Sequence, residues 1–344
     1  MKNILLLSLL LLLLSNCQEK ESHKISIDLS KYVSEIYFSE FTDSLSFLTL
    51  DMRDSCLISE VDQIYKDSNL IFVKDRRGNG IFIFDENNRY KNRINYYGRG
   101  PGEFIRLSTA CINPTDKQIG IYDDFSRKIL IYSYEGVFIK EILVNDYIYD
   151  FAFTSNKGFI FIYPFYYPAT ERDGLWLTDS NGIFVKHLYH IDPKHKVRMF
   201  FDNYYKLLPN HRQGIIFYDR WADQFLQVNQ DSATCLYEFD LRQRIPESLK
   251  KDPEYVSDKH FILTCFFNMS RYILSGYASA NDYYWVLFNK KDHSIKVAPK
   301  LINDMNNIKI ESFPCFLDEN TLAFELQDDE NNYDIRLLLL HAKQ

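Results

Sequence analysis

Residues 61–104 of this chain recur, and that recurrence limits what it can fold into more than any other feature. The segment holds four short apolar runs at 64–65, 70–73, 81–84 and 90–94, separated by polar turns. A shift of 48 residues, which carries Asp75 onto Asp123, also carries Ile83 onto Ile131 and Tyr90 onto Phe138. A fixed period of roughly 40–50 residues with four strand-like runs is the mark of a β-propeller. Further units follow at 109–142, 149–188, 204–239, 261–297 and 312–340, which makes six. The last has only three runs, at 314–317, 321–326 and 335–340. Residues 45–50, Leu-Ser-Phe-Leu-Thr-Leu, supply the missing strand from the other end of the chain. The expectation is an all-β, six-bladed β-propeller of four-stranded antiparallel blades, its ring closed by an N-terminal strand that completes the last blade. Such closure leaves only short, protected edges.

The runs are apolar almost throughout instead of alternating, as expected of sheets packed on both faces. Turns between first and second strands, and between third and fourth, are short. The other connections are longer and varied, with elaborations at 164–174, 190–203, 241–259 and 301–309. In an up-and-down blade, alternate connections fall on opposite faces. One face therefore carries tight turns and the other carries elaborated loops. Function concentrates in such loops on a rigid scaffold, so the long-loop face is the expected working face.

The N-terminus predicts export. Lys2 precedes an apolar run at 4–14 that is too short for an ordinary membrane span and fits the hydrophobic region of a signal peptide. Leu14-Ser15-Asn16-Cys17 then resembles the bacterial lipobox, in which the cysteine is lipidated and becomes the first residue. The domain reading is a lipoprotein signal peptide at 1–16, a lipidated Cys17 with a polar tether at 17–40, and the propeller at 41–344. Five other cysteines remain, an odd number that argues against a disulfide framework. Cys111, Cys265 and Cys315 occupy one equivalent position in the first strands of their units, where small buried hydrophobes are expected. The net charge of −7 and the lack of a long basic stretch argue against a nucleic-acid partner.

Gly98-Arg-Gly-Pro-Gly-Glu-Phe104 closes the first unit, and Glu238-Phe-Asp-Leu with Ile245-Pro246 follows the fourth. With the lipobox-like start, these elements resemble the six-bladed propeller lipoproteins of Bacteroides-type bacteria, a group distantly similar to NHL-repeat proteins. The resemblance covers everything after the tether. It implies an exported, membrane-anchored propeller and no assigned activity. Outer-membrane attachment is expected over inner.

The glycine-rich element is not a phosphate loop: it lacks Gly-Lys-Ser/Thr, Glu103 stands where a dinucleotide fingerprint has its third glycine, and Pro101 removes a backbone donor. It reads as a crossover between blades, or as a loop that points Arg99 at a ligand. Asp75, Asp123 and Asp219 recur at one turn position, where aspartate commonly accepts from backbone amides. Their neighbours Arg76, Arg77, Arg220 and Trp221 are freer to meet a ligand, because arginine forks onto carboxylates and phosphates. Tyr166, Tyr167 and Arg172 lie in the 164–174 insertion, where amphipathic rings suit recognition or packing over the propeller mouth. These eight residues with Arg99 counted among them form the expected ligand surface. The partner would be an envelope protein or a carbohydrate or peptide ligand. No catalytic residue, cofactor or metal site is expected: His187, His190 and His195 lack zinc-site spacing, and residues 328–332 lack the EF-hand glycine and distal glutamate. The alternative function is a hydrolase or lactonase with a divalent metal in the central channel.

If Cys17 carries acyl chains, Cys17→Ser moves the protein from the membrane to the soluble fraction. Each buried CH₂ contributes about 0.8 kcal/mol to membrane association, so the shift is large. Unchanged fractionation of the variant rejects the anchor.

Overall fold

The structure is a computed structural model that describes residues 23–52, 58–75, 77, 80–144, 147–163, 174–191, 207–210, 214–219, 222–246, 248–249, 258–326 and 334–344. The chain begins with β1 (His23–Ile27), β2 (Ile36–Tyr37), a single helical turn α1 (Phe38–Phe41) and β3 (Thr42–Leu50). Blade 1 is β4 (Val61–Asp67), β5 (Leu70–Asp75), β6 (Ile81–Phe84) and β7 (Tyr90–Ile94). Blade 2 is β8 (Thr109–Asn113), β9 (Gln118–Asp123), β10 (Lys128–Ser133) and β11 (Phe138–Leu143). Blade 3 is β12 (Asp150–Phe153), β13 (Phe159–Tyr163), β14 (Gly174–Thr178) and β15 (Phe184–His190). Blade 4 is β16 (Leu208–Asn210), β17 (Gly214–Asp219), β18 (Gln224–Val228) and β19 (Ala233–Leu241). Blade 5 is β20 (Ile262–Asn268), β21 (Tyr272–Ala278), β22 (Tyr283–Asn289) and β23 (Ile295–Ala298), followed by the short β24 (Leu301–Ile302). Blade 6 combines β25 (Cys315–Asp318), β26 (Thr321–Leu326) and β27 (Ile335–Ala342) with β3. Six blades of four antiparallel strands make a six-bladed β-propeller.

Closure is as expected. β3 pairs antiparallel with β27 from Ile335↔Leu50 to Ala342↔Thr42. The first and last parts of the chain are thereby held in one sheet.

The packing explains the continuous apolar runs. In β5, Ile71 and Val73 enter the cluster shared with blade 6, while Phe72 enters the one shared with blade 2. In β6, Phe82 and Phe84 face blade 6, and Ile81 and Ile83 face blade 2. The two-residue period of a strand thus sends alternate side chains into two different interfaces. β10 repeats this, with Leu130 and Tyr132 toward blade 1 and Ile129 and Ile131 toward blade 3. The core is a set of layers between blades.

Connections follow strand direction. Each first strand runs toward the tight-turn face and each second strand returns. Second-to-third connections are also short in blades 2, 4 and 5, at 124–127, 220–223 and 279–282. Elaboration of the long-loop face therefore lies mostly in the crossovers between blades, a narrower distribution than the sequence suggests.

Residues 23–40 were expected in a polar tether, and the structure packs them onto the ring instead. β1 adds a fifth strand to blade 4, parallel to β19, from His23↔Tyr237 to Ile27↔Leu241. Ile25 and Ile27 enter the layer between blades 4 and 5. Asp28 then accepts from Gln243 (2.9 Å) and Arg242 (2.8 Å), and Leu29 N–H donates to the Gln243 side chain. The chain continues along blade 5, where β2 pairs in parallel with β24. Ile36, Phe38 and Phe41 fill the layer between blades 5 and 6 before β3 begins. The apolar residues of this segment gain more by burial here than in water.

Leu50 is fully buried in the closing strand, and Phe47 on the same strand is half exposed. Leu50→Ala should cost about 2–5 kcal/mol in denaturant unfolding, and Phe47→Ala no more than about 0.5 kcal/mol. A chain starting at Ser55 should melt well below the parent. Equal melting of that chain rejects β3 as the closure.

Candidate functional site

The long-loop face is organised by buried aspartates at the last position of second strands. Asp123 is fully buried at the end of β9. Its carboxylate accepts from Ile105 N–H (2.8 Å) and Arg106 N–H (3.3 Å) of the incoming crossover, and from Phe125 (3.1 Å) and Ser126 N–H (3.2 Å) of its own turn. Asp75, at the end of β5, accepts from Ser59 N–H, the Ser59 hydroxyl, and Glu60 and Arg77 N–H. Asp219, ending β17, accepts from the Tyr189 hydroxyl of blade 3 (2.6 Å) and Ala222 N–H (3.4 Å). Burial alone would raise the Asp123 pKa, but the bonds from Ile105, Ser126 and Arg106 outweigh it and hold the carboxyl below its usual range. The aspartates are clamps.

The glycine-rich element is the crossover from blade 1 to blade 2. Phe104 is fully buried, with its N–H on Tyr96 C=O and its carbonyl accepting from Gly98 N–H. Glu103 accepts from Gly100 N–H (2.8 Å), so it braces its own loop. Gly102 has φ +73°, and a Cβ there would lie 2.7 Å from the Phe138 ring. Both conditions require glycine. The Tyr132 hydroxyl caps the turn by donating to Gly102 C=O (2.7 Å).

Arg77 and Arg99 are exposed on the long-loop side of blade 1. No hydrogen bond or ion pair engages the Arg99 side chain among the described residues. The other expected ligand residues, Arg76, Tyr166, Tyr167, Arg172, Arg220 and Trp221, lie outside the described residues, as does Cys17. β13 ends and β14 begins at the long-loop face.

Three aromatic side chains join this surface that the sequence reading passed over. Tyr96 and Tyr97 lead into the crossover and are 44% and 51% exposed, and Phe125 in the turn after β9 is 61% exposed. Tyr97 packs edge-on against Phe104 at 4.9 Å, and Tyr96 stacks on Tyr132. Burial and then the charge of Asp75 raise the Tyr97 pKa. A bidentate Arg106–Asp124 pair (2.5 and 2.6 Å) ties the crossover to the turn of Phe125. A large apolar ring in a four-residue charged turn is the signal that could have disclosed Phe125.

The first strands surround a central cavity of about 2270 Å³. Cys111, Cys265 and Cys315, expected as small buried hydrophobes, line it and are half-buried. Burial raises the Cys265 thiol to about 11, so it stays protonated at neutral pH. Lys74 is ion-paired with Asp62. Asp150 accepts from the Thr109 hydroxyl (2.7 Å) of blade 2 and Leu207 N–H (2.9 Å), joining three blades. Burial raises the Glu325 pKa against the bond from Val61 N–H, with Glu60 and Asp75 adding to the rise. Among the described residues no three His, Cys, Asp or Glu side chains are grouped to hold a metal. His187 and His190 stack at 4.0 Å on the outer strand of blade 3.

Asp123→Asn should lower stability by about 1–3 kcal/mol at pH 7, since it disturbs buried N–H donors. The folded carboxyl titrates below the unfolded one. Its stabilisation is therefore full above about pH 4 and fades as pH falls through the lowered value. Unfolding of both proteins between pH 7 and pH 2 should show the difference narrowing at the acid end. A constant difference removes the charge from the clamp.

No sequence among curated proteins matches the chain. In fold it is similar to a Bacteroides fragilis protein thought to be exported, with a TM-score of 0.74 and 18% identity over 93% of this chain and 100% of that one. It is also similar to a member of the DUF4221 family from Bacteroides vulgatus, with a TM-score of 0.51 and 10% identity over 88% and 98% of the two chains. A domain family of unknown function matches residues 24–333, which is nearly the whole ring with the strand added to blade 4. The chain therefore belongs to the family DUF4934.

Proposed function

We propose that this protein is a lipid-anchored propeller of the bacterial envelope that binds a partner through its long-loop face. The observation that carries the reading is the set Arg77, Tyr96, Tyr97, Arg99 and Phe125, exposed on loops held by the Asp75 and Asp123 carboxylates and by the backbone bonds of buried Phe104. Tyrosine and arginine dominate binding hot spots, and preorganised loops lose less entropy on association. Arg76, Tyr166, Tyr167, Arg172, Arg220 and Trp221 extend the same surface in this proposal. The partner is an envelope protein or a carbohydrate or peptide ligand. Similarity to a Bacteroides protein thought to be exported supports the envelope location, and the lipobox-like Cys17 supports the anchor. A hydrolase or lactonase with a channel metal is the second reading, and among the described residues no three His, Cys, Asp or Glu side chains are grouped to support it. Metal analysis of the purified protein separates the two.

The test is an alanine scan of both faces against the partner recovered from the native envelope. Tyr97→Ala, Arg77→Ala or Arg99→Ala should cost about 2 kcal/mol or more of binding at a hot spot, with melting little changed. Asn87→Ala and Asn181→Ala, on the tight-turn face, should stay within about 0.5 kcal/mol. Greater sensitivity on the tight-turn face rejects the site.

A further inference from the structure

We infer that the tight-turn rim of blades 2 and 3 is a membrane-contacting surface, which turns the long-loop face away from the bilayer. The inference rests on the lipid anchor proposed above and adds to it an orientation and a lipid-facing patch.

The first argument is chain direction. β1 lies parallel to β19, and β19 runs from the tight turn at 229–232 toward the long-loop face. His23 sits opposite Tyr237, midway along β19, and Ile27 opposite Leu241 at its long-loop end. β1 therefore enters blade 4 from its tight-turn side. Five residues, 18–22, separate His23 from Cys17, so six Cα steps reach at most about 22 Å. The four residue steps of β19 from Tyr237 to Ala233 take up about 13 Å of that. An acyl group on Cys17 is thus held close to the tight-turn edge of blade 4. To reach the long-loop side, the same residues would have to double back along β1.

The second argument is the surface beside that exit. Val137 and Ile183, in the tight turns of blades 2 and 3, are each 62% exposed, and Ile139, Phe184 and Val185 on the adjoining outer strands are 44–54% exposed. β11 and β15 are the outermost strands of their sheets, whereas β1 covers the equivalent edge of blade 4. The tight turns of blades 2, 3 and 4 adjoin one another. Lys140 of blade 2 donates to Ser180 C=O in the turn of blade 3 (3.2 Å), and Lys186 of blade 3 donates to Asp231 C=O in the turn of blade 4 (3.1 Å). Exposed apolar groups of this kind mark interaction surfaces. Here the neighbouring tether supplies a bilayer at short range. Lipid chains and an apolar protein patch then act as two membrane signals, the combination that stable anchoring uses.

The test uses the full-length protein extracted from membranes and placed in vesicles of phosphatidylethanolamine and phosphatidylglycerol. Amide hydrogen exchange is compared with that of the same protein in detergent, and flotation reports vesicle attachment. Residues 133–139 and 179–185 should exchange severalfold more slowly on vesicles, with residues 96–104 unchanged. The double variant Val137→Asp, Ile183→Asp should still float and should lose that protection. Vesicle-bound protein protected at 96–104, or equally on both faces, overturns the orientation and leaves the anchor standing. Equal protection in detergent at high protein concentration assigns the patch to a second copy and also overturns it. Failure of the parent to float overturns the anchor and this inference together.

Discussion

The interaction on which the ring most depends is a carboxylate buried at the end of a second strand, gathering backbone N–H groups from two directions. At Asp123 the donors come from the crossover that arrives from blade 1 and from the turn that leaves for the third strand. An amide buried without a partner costs free energy comparable to a lost hydrogen bond. A crossover cannot bury its backbone under the loop face unless something accepts from it, and one ionised carboxylate accepts four times. Asp75 repeats the device, and Asp219 accepts from the hydroxyl of a tyrosine in the neighbouring blade. Asp150 does related work at the channel, where one side chain holds blades 2, 3 and 4.

Between these fixed points the blades need only fit one another. Because alternate residues of a strand serve opposite layers, a change at Phe72 is felt by blade 2 and a change at Val73 by blade 6. The layers are coupled around the ring through such strands, which suits a scaffold whose loops must keep their positions. Tyr97 shows the gain: its ring leans on buried Phe104 and leaves half its surface to solvent. The crossover presents a side chain that is already ordered.

Much of this was legible before any coordinates. The 48-residue shift carries Asp75 onto Asp123 because the same clamp is built twice, and residues 45–50 stood out because the last unit lacked a strand. The β1 strand was not legible as part of a blade. Its alternation of Ile25, Ile27 and Leu29 is visible, but its partner lies more than 200 residues away, and parallel addition to an outer edge leaves no local turn to betray it. Tyr96, Tyr97 and Phe125 were hidden by abundance, since most of the 52 Phe and Tyr residues (27 and 25) could serve the layers equally well. The equivalence of Cys111, Cys265 and Cys315 was readable from the repeat. That their strand position faces the cavity was not, because innermost strands alternate between layer and channel.

The pairing of β1 with β19 also has a mechanical side. Tension arriving at His23 pulls along the strand axis, so the five residue pairs of β1 are loaded in shear, together, instead of being unzipped one at a time. Beyond them the load passes to the Asp28–Gln243 contact, along blade 5 through β2, and into β3, the strand that completes the ring. A tug on the N-terminus is thus spread over blades 4 and 5 before it reaches blade 6 and the seam at which a propeller would otherwise open.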